Sequence, residues 1–248
     1  MLASLAYFSE PLGKQMEMLV ALPQRPGPHP LIVQLHGHSD DHTIWQRRTT
    51  IEPEAERIGA AVVMLDGGLS FYTDAADGTG AWERHIMYSI ELAERTFGIG
   101  GSRGRRAIGG LSMGGYGAMK LGLKYPHLFG SLVSHSGVLD ICRWYTDCKR
   151  PHLMHGIFGT KPKRSDDPIH LLAGAKPLPQ ILIDCGSEDF LIEHNRQFHR
   201  LLTRRTIPHV YREFPGVHNW DYWQARLPAA FDHHAAWFTR NRRPTRKA

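Results

Sequence analysis

The chain has 248 residues, with 30 Lys+Arg against 24 Asp+Glu for a formal net charge of +6. Its 42% hydrophobic and 22% charged residues are ordinary for a globular protein, and this length buries a core without help from disulfides. The 25 glycines and 16 prolines stay below low-complexity levels, and apolar runs such as 31–35 and 60–65 fall far short of the roughly 20 residues that cross a bilayer, so neither extensive disorder nor a membrane span is expected.

Residues 1–7 carry no basic n-region and no small-residue cleavage site before Ser9-Glu10-Pro11, which predicts a cytoplasmic protein. Strand-length apolar runs at 2–8 and 15–22 predict an antiparallel hairpin; further strands are predicted at 31–35, 61–65, 105–109, 132–136, 180–184 and 210–214. Between them, apolar residues at three- and four-residue steps predict helices over 46–58, 82–97, 113–125, 191–206 and 227–239. The clearest is 82–97, where Ile86, Ile90, Ala93 and Phe97 share a face. This alternation is the pattern of an α/β fold, a mostly parallel sheet flanked by helices on both faces. The Pro23–Pro30 run joins two strands and reads as a rigid loop, so residues 1–240 are read as one domain. Residues 137–170 have no long periodic segment and carry Trp144, Tyr145 and Phe158, suggesting a short cap-like insertion over one end of the sheet. Cys142, Cys148 and Cys185 form no C-x-x-C pair and indicate neither a disulfide framework nor a cysteine-rich zinc site. The sequence pI is about 9.3. The basic residues are nevertheless scattered, and their densest run is the 241–248 tail with Arg240 before it, so no specific nucleic-acid partner is expected.

The strongest local signal is Gly110-Leu111-Ser112-Met113-Gly114, a G-x-S-x-G between a predicted strand and a predicted helix. A strand turning sharply into a helix holds the serine in a strained conformation above the sheet, and small residues two before and two after it prevent clashes. The same turn aims the Met113 amide at a developing oxyanion.

A serine needs a base, and the base an orienting acid. The strand at 180–184 runs into Cys185-Gly186-Ser187-Glu188-Asp189, and the acid is expected just past the strand end. Asp189 is therefore the first choice and Glu188 the second, while Asp184 reads as a hydrogen-bonding residue at the strand end. Of 16 histidines, His218 alone follows the last strand through the turn Pro215-Gly216-Val217 and precedes the last helix. His209 opens that strand, and His194, His199, His233 and His234 lie on helices, so these read as surface or packing residues. The second oxyanion donor is assigned to the His38 amide, since Gly37 in Leu35-His36-Gly37-His38 lets the backbone approach a substrate.

Leu35-His36-Gly37 followed by Trp45, the segment Gly109 to Ala118, Asp184-x-Gly186-x-x-Asp189 and Gly216-x-His218-x-Trp220 together resemble the esterase D type of α/β-hydrolase. That group includes tributyrin esterases, S-formylglutathione hydrolases, feruloyl esterases and mycolyltransferases. The resemblance runs from about Leu2 to Phe238 and is nearest the tributyrin-esterase-like members, which also show a Tyr-Thr-Asp like Tyr72-Thr73-Asp74. It implies Ser112 as nucleophile, Asp189 as acid, His218 as base and the residue after His36-Gly37 as oxyanion donor, agreeing with the positional assignments. It departs from S-formylglutathione hydrolases in lacking their Gly-Leu-Thr-Cys after the Leu31 strand.

The expected reaction is hydrolysis of short-chain acyl esters through an acyl-enzyme, with no cofactor and no metal. Trp45, Tyr72, Trp144 and Phe158 are the expected pocket residues, and the partner is a small-molecule ester, with a homo-oligomer possible. Three rivals stand beside this reading. His36-Gly37-His38-Ser39-Asp40-Asp41-His42 resembles the H-x-H-x-D-H of dinuclear zinc hydrolases but is displaced by one residue. A noncatalytic binding protein of hydrolase fold would be expected to have a broken triad. Thioester hydrolysis and acyl transfer share all chemistry up to the acyl-enzyme.

Overall fold

The structure, a computed structural model, describes residues 1–241. Strands β1 (Leu2–Ser9) and β2 (Lys14–Ala21) form the antiparallel hairpin. Next come β3 (Leu31–Leu35), α1 (Ile44–Arg48), α2 (Ile51–Ile58), β4 (Ala61–Leu65) and α3 (Trp82–Phe97). The central unit is β5 (Arg106–Leu111), α4 (Met113–Lys124) and β6 (Ser131–His135). Short helices α5 (Ile141–Asp147), α6 (Pro151–Phe158) and α7 (Pro168–Leu171) lead to β7 (Gln180–Gly186), α8 (Ile192–Arg204), β8 (Val210–Phe214) and α9 (Trp220–Arg240).

Among the described residues the strands make one sheet in the order β1-β2-β4-β3-β5-β6-β7-β8. From β4 to β8 all neighbours are parallel, and β2 is antiparallel to both of its own. A parallel sheet covered on both faces needs strands that are apolar throughout, and β3, β4 and β6 are buried at every position. The side chains alternate between two cores. Leu31, Val33 and Leu35 pack with Ile86 and Ile90 of α3, Met119 of α4 and Phe198 of α8. Ile32 and Val62 pack on the other face with Trp45, Ile51, Trp223 and Phe231 from α1, α2 and α9. Because β3 and β5 to β8 run the same way, the loops after them gather at one edge of the sheet.

The predicted strands lie within about two residues of the observed ones, and the helices differ for local reasons. The expected helix at 46–58 is two, because Thr49 is extended (φ −141°, ψ 169°) and Pro53 cannot donate to the Thr49 carbonyl. Proline is tolerated in the first turn of α2, so the helix restarts there. α9 begins seven residues before the expected position, where the Asn219 side chain accepts from the Tyr222 amide, and it carries Pro228 in its interior. The 137–170 segment, read as having no long periodic segment, contains three short helices whose brevity hides their period. The expected basic tail lies, from residue 242 on, outside the described residues.

A buried ion cluster ties the 137–170 segment to the core. The Lys120 ammonium, fully buried in α4, lies 2.7 Å from Glu83 of α3 and 3.5 Å from Asp166, and donates to the Tyr72 carbonyl and the Thr73 hydroxyl. The Asp166 carbonyl accepts from the Tyr116 hydroxyl at 2.6 Å. Lys124 and the Tyr125 hydroxyl complete the shell of Glu83. Burial alone would raise the Glu83 carboxyl, but Lys120, Lys124 and Tyr125 outweigh it and hold it down at about 2, below the ordinary 4.5. A depressed carboxylate contributes stability above its unfolded pKa and loses it as pH falls toward the folded one. Wild type should therefore exceed Glu83→Gln in urea midpoint at pH 6, and the gap should close between pH 4.5 and about 2.

Candidate active site

Ser112 ends the β5 turn with φ 53° and ψ −116°, a backbone region that costs a non-glycine residue about 1–3 kcal/mol. Three hydrogen bonds hold it there: its amide donates to the His135 carbonyl at 2.9 Å, and its carbonyl accepts from the amides of Tyr116 and Val138. The flanking glycines are sterically required. A Cβ on Gly110 would sit 2.5 Å from the Gly114 carbonyl, and one on Gly114 would sit 2.6 Å from the His36 carbonyl. Met113 opens α4, so its amide has no intrahelical acceptor.

The loop after β3 is fixed by His36. The Gly67 amide donates to His36 Nε2 at 2.8 Å, which makes Nε2 an acceptor and places the proton on Nδ1, 2.7 Å from the Gly37 carbonyl. The Tyr72 hydroxyl donates to the His36 carbonyl at 2.8 Å. His38, half-buried, follows, packed edge-on to Phe71 with ring centroids 6.0 Å apart. Among the described residues no protein group accepts the His38 amide. Both ring nitrogens of His36 are engaged by backbone, so the displaced H-x-H-x-D-D-H pattern does not converge on a cation. No group of three or more metal-ligating side chains occurs among the described residues.

Asp189 lies three residues beyond β7. Its carboxylate, buried, accepts the Leu191 amide at 2.8 Å and faces His218 Nδ1 at 2.8 and 3.0 Å. Burial opposes its ionisation, but the His218 ring and the Leu191 amide hold it below the ordinary carboxylate range. With Nδ1 donating to Asp189, His218 keeps Nε2 for another partner. Glu188 is exposed and accepts from the Ser187 hydroxyl instead. The other histidines considered lie elsewhere: His199 and His209 pair with each other, and His234 faces Ser131.

Asp184 is the residue whose weight sequence reasoning missed. It sits inside β7 and is buried, with one carboxylate oxygen 2.8 Å from His135 Nδ1 and the other accepting the Tyr222 hydroxyl at 3.1 Å. His135 supplies the carbonyl that holds the Ser112 amide, and Tyr222 lies in the first turn of α9, capped by Asn219 next to His218. One carboxylate therefore braces both the nucleophile turn and the histidine loop. The Trp223 ring completes the connection, lying 4.9 Å from His218 and donating to Ser136 Oγ.

The expected pocket residues divide. Trp45 is buried, donates to the Leu35 carbonyl at 2.9 Å and packs edge-on to Trp220, so it supports the β3 end instead of lining a pocket. Tyr72 is fully buried and anchors the loop after β3 by donating to the His36 carbonyl. Phe158 is buried against Phe71. In each case an apolar ring that read as a pocket wall serves the core, because burying it there stabilises more than leaving it wet. Trp144 is half-buried and stacks on Phe190, whose ring lies 4.5 Å from His218. Phe190 was missed; its one signal was an aromatic residue directly after the candidate acid in a polar loop. A groove of about 740 Å³ lined by Leu178, Pro208, His209 and Trp237 lies at the opposite end of the strands from Ser112.

A nucleophile turn on β5, an acid after β7 and a histidine after β8, all at one edge of this sheet, define an α/β-hydrolase of the serine type. Residues 9–234 match the family described as "Putative esterase", and the chain belongs to that family. An acetyl esterase of Caldicellulosiruptor saccharolyticus is 30% identical over 213 residues, 80% of each chain. Among solved structures, a substrate-bound fluorophosphonate-binding serine hydrolase of Staphylococcus aureus has a TM-score of 0.88 at 28% identity, covering 95% of this chain and 98% of its own. The S-formylglutathione hydrolase of the same organism has a TM-score of 0.85 at 28% identity, covering 95% and 99%. The protein is accordingly a serine hydrolase acting on ester bonds.

Removing the Asp184 brace should be costly. Asp184→Ala leaves the buried His135 and Tyr222 donors unpaired and should lower the unfolding free energy by about 2–4 kcal/mol, measured by urea denaturation.

Proposed function

We propose that Ser112, His218 and Asp189 are the catalytic triad of a carboxylesterase for short acyl groups. The observation that carries the reading is the Asp189–His218 pair at 2.8 Å, on loops at the same sheet edge as the left-handed Ser112. Ser112 Oγ attacks the ester carbonyl while His218 Nε2 takes its proton, and Asp189 holds the imidazole in the right tautomer and stabilises its cation. The amides of His38 and Met113 bind the oxyanion, each such donor being worth about 3–4 kcal/mol in comparable hydrolases. His218 then protonates the leaving alcohol, and the acyl group stays on Ser112. Water, deprotonated by His218, attacks the acyl-enzyme; as the tetrahedral intermediate collapses, His218 returns that proton to Ser112 Oγ, releasing the acid and free Ser112. No metal or cofactor enters these steps.

Short acyl groups are favoured because Phe71, beside His38, and Phe158, packed against Phe71, are buried in the core. The acetyl esterase relative supports the same size class. The likeness to an S-formylglutathione hydrolase supports thioester hydrolysis as a second reading of the same machinery. No described helix is long and apolar enough to cross a membrane. We place the enzyme in the cytoplasm, acting on a small-molecule ester without nucleic-acid or membrane partners, with self-association open to a sizing measurement.

Hydrolysis of p-nitrophenyl butyrate should be lost in Ser112→Ala, by at least about a thousandfold, and be indifferent to EDTA. Activity surviving in Ser112→Ala, or lost to the chelator, would discard the triad. Across p-nitrophenyl esters, kcat/KM should peak at acyl chains of about two to four carbons and fall steeply by about ten, where crowding against Phe71 and Phe158 opposes entry.

A further inference from the structure

The proposed triad gives the site two unlike sides. The oxyanion donors of His38 and Met113 grip the carbonyl from one side, whereas His218 must reach the oxygen of the departing alcohol. Side chains packed against the His218 ring therefore border the alcohol half of the substrate.

On that side the surface is apolar and open. Phe190 is 64% exposed with its ring 4.5 Å from His218, and Val217, directly before His218, is 44% exposed. Only five large apolar side chains are at least as exposed as Val217 among the described residues, and these two adjoin the acid and the base in sequence. Trp144 extends the surface, its ring stacked on Phe190 with centroids 6.3 Å apart and planes 29° from parallel. An exposed aromatic ring beside a reactive centre, with a second ring stacked on it, is the mark of a ligand surface. The oxyanion side is the reverse, since Phe71 beside His38 is 1% exposed and Phe158 behind it 3%.

Building on the esterase reading, we propose that Phe190 and Trp144 form a binding wall for a planar, apolar alcohol, so that the preferred substrates are short-acyl esters of aromatic or fused-ring alcohols. Near-parallel rings offer offset stacking to a flat moiety, an attraction that a linear or small alcohol does not gain. A product of this type enters further metabolism only through a reaction that consumes a free aromatic or ring alcohol.

The test compares kcat/KM for 2-naphthylmethyl acetate and ethyl acetate, whose alcohols are of similar acidity, so that leaving-group chemistry largely cancels. Wild type should prefer the naphthylmethyl ester by about tenfold or more. In Phe190→Ala the ratio should fall to within about twofold of unity, mainly through KM, and Phe190→Tyr should restore it. Trp144→Phe should retain most of the preference and Trp144→Ala little of it. A wild-type ratio near one, or a ratio unchanged in Phe190→Ala, would overturn the wall while p-nitrophenyl acetate is still turned over. Failure of wild type to turn over p-nitrophenyl acetate would instead overturn the esterase reading, and the wall with it.

Discussion

The backbone of Ser112 is the constraint on which the site depends. A side chain at φ 53° and ψ −116° is unfavourable in isolation, and it persists because the surroundings over-determine it. The His135 carbonyl fixes the Ser112 amide from the neighbouring strand, and the first turn of α4 captures its carbonyl. Close approach of the chain around Gly110 and Gly114 leaves no room for even a methyl group, so the turn and the end of β3 interlock. The same tight passage brings the Met113 amide and the His36–His38 loop to one place. Strain at Ser112 and the close approach of the β3 end to α4 are thus two results of one packing arrangement.

Around this turn, buried polar groups set the loops that carry the remaining chemistry. His36 orients the His38 amide by using both ring nitrogens on backbone. Asp184 joins the end of β6 to the first turn of α9, and thereby links the supports of Ser112 and His218. Such groups are costly to bury unless every one finds a partner, so a small error in loop position would strand several of them at once. That cooperativity gives loops a definition usually reserved for strands. Farther out, Lys120 works in the same way, joining α3, α4, the Tyr72 turn and the 137–170 segment through one ammonium group.

The arrangement also divides rigid from accessible surface. Trp45, Tyr72 and Phe158 stabilise the scaffold from within, whereas Phe190 is exposed beside His218 with the half-buried Trp144 stacked on it. Aromatic side chains suit either task because they combine large area with few rotatable bonds. Which task each performs depends on what packs against it in three dimensions.

The sequence by itself determined the α/β alternation, the strands, the strand–turn–helix setting of Ser112 and the order serine, acid, histidine. These follow from short-range rules: apolar periodicity, steric limits at glycine, and the position of an acid or base just past a strand. Boundaries failed where one residue changes the local rule, as at Pro53 and Asn219. The tertiary structure alone decided that Asp184 braces two loops and that three of the four expected pocket aromatics are core. Those outcomes depend on contacts between residues tens of positions apart, such as Asp184 with His135 and Tyr222. Local periodicity carries no information about such pairings, because they arise only when the sheet order brings separate strand ends to the same edge.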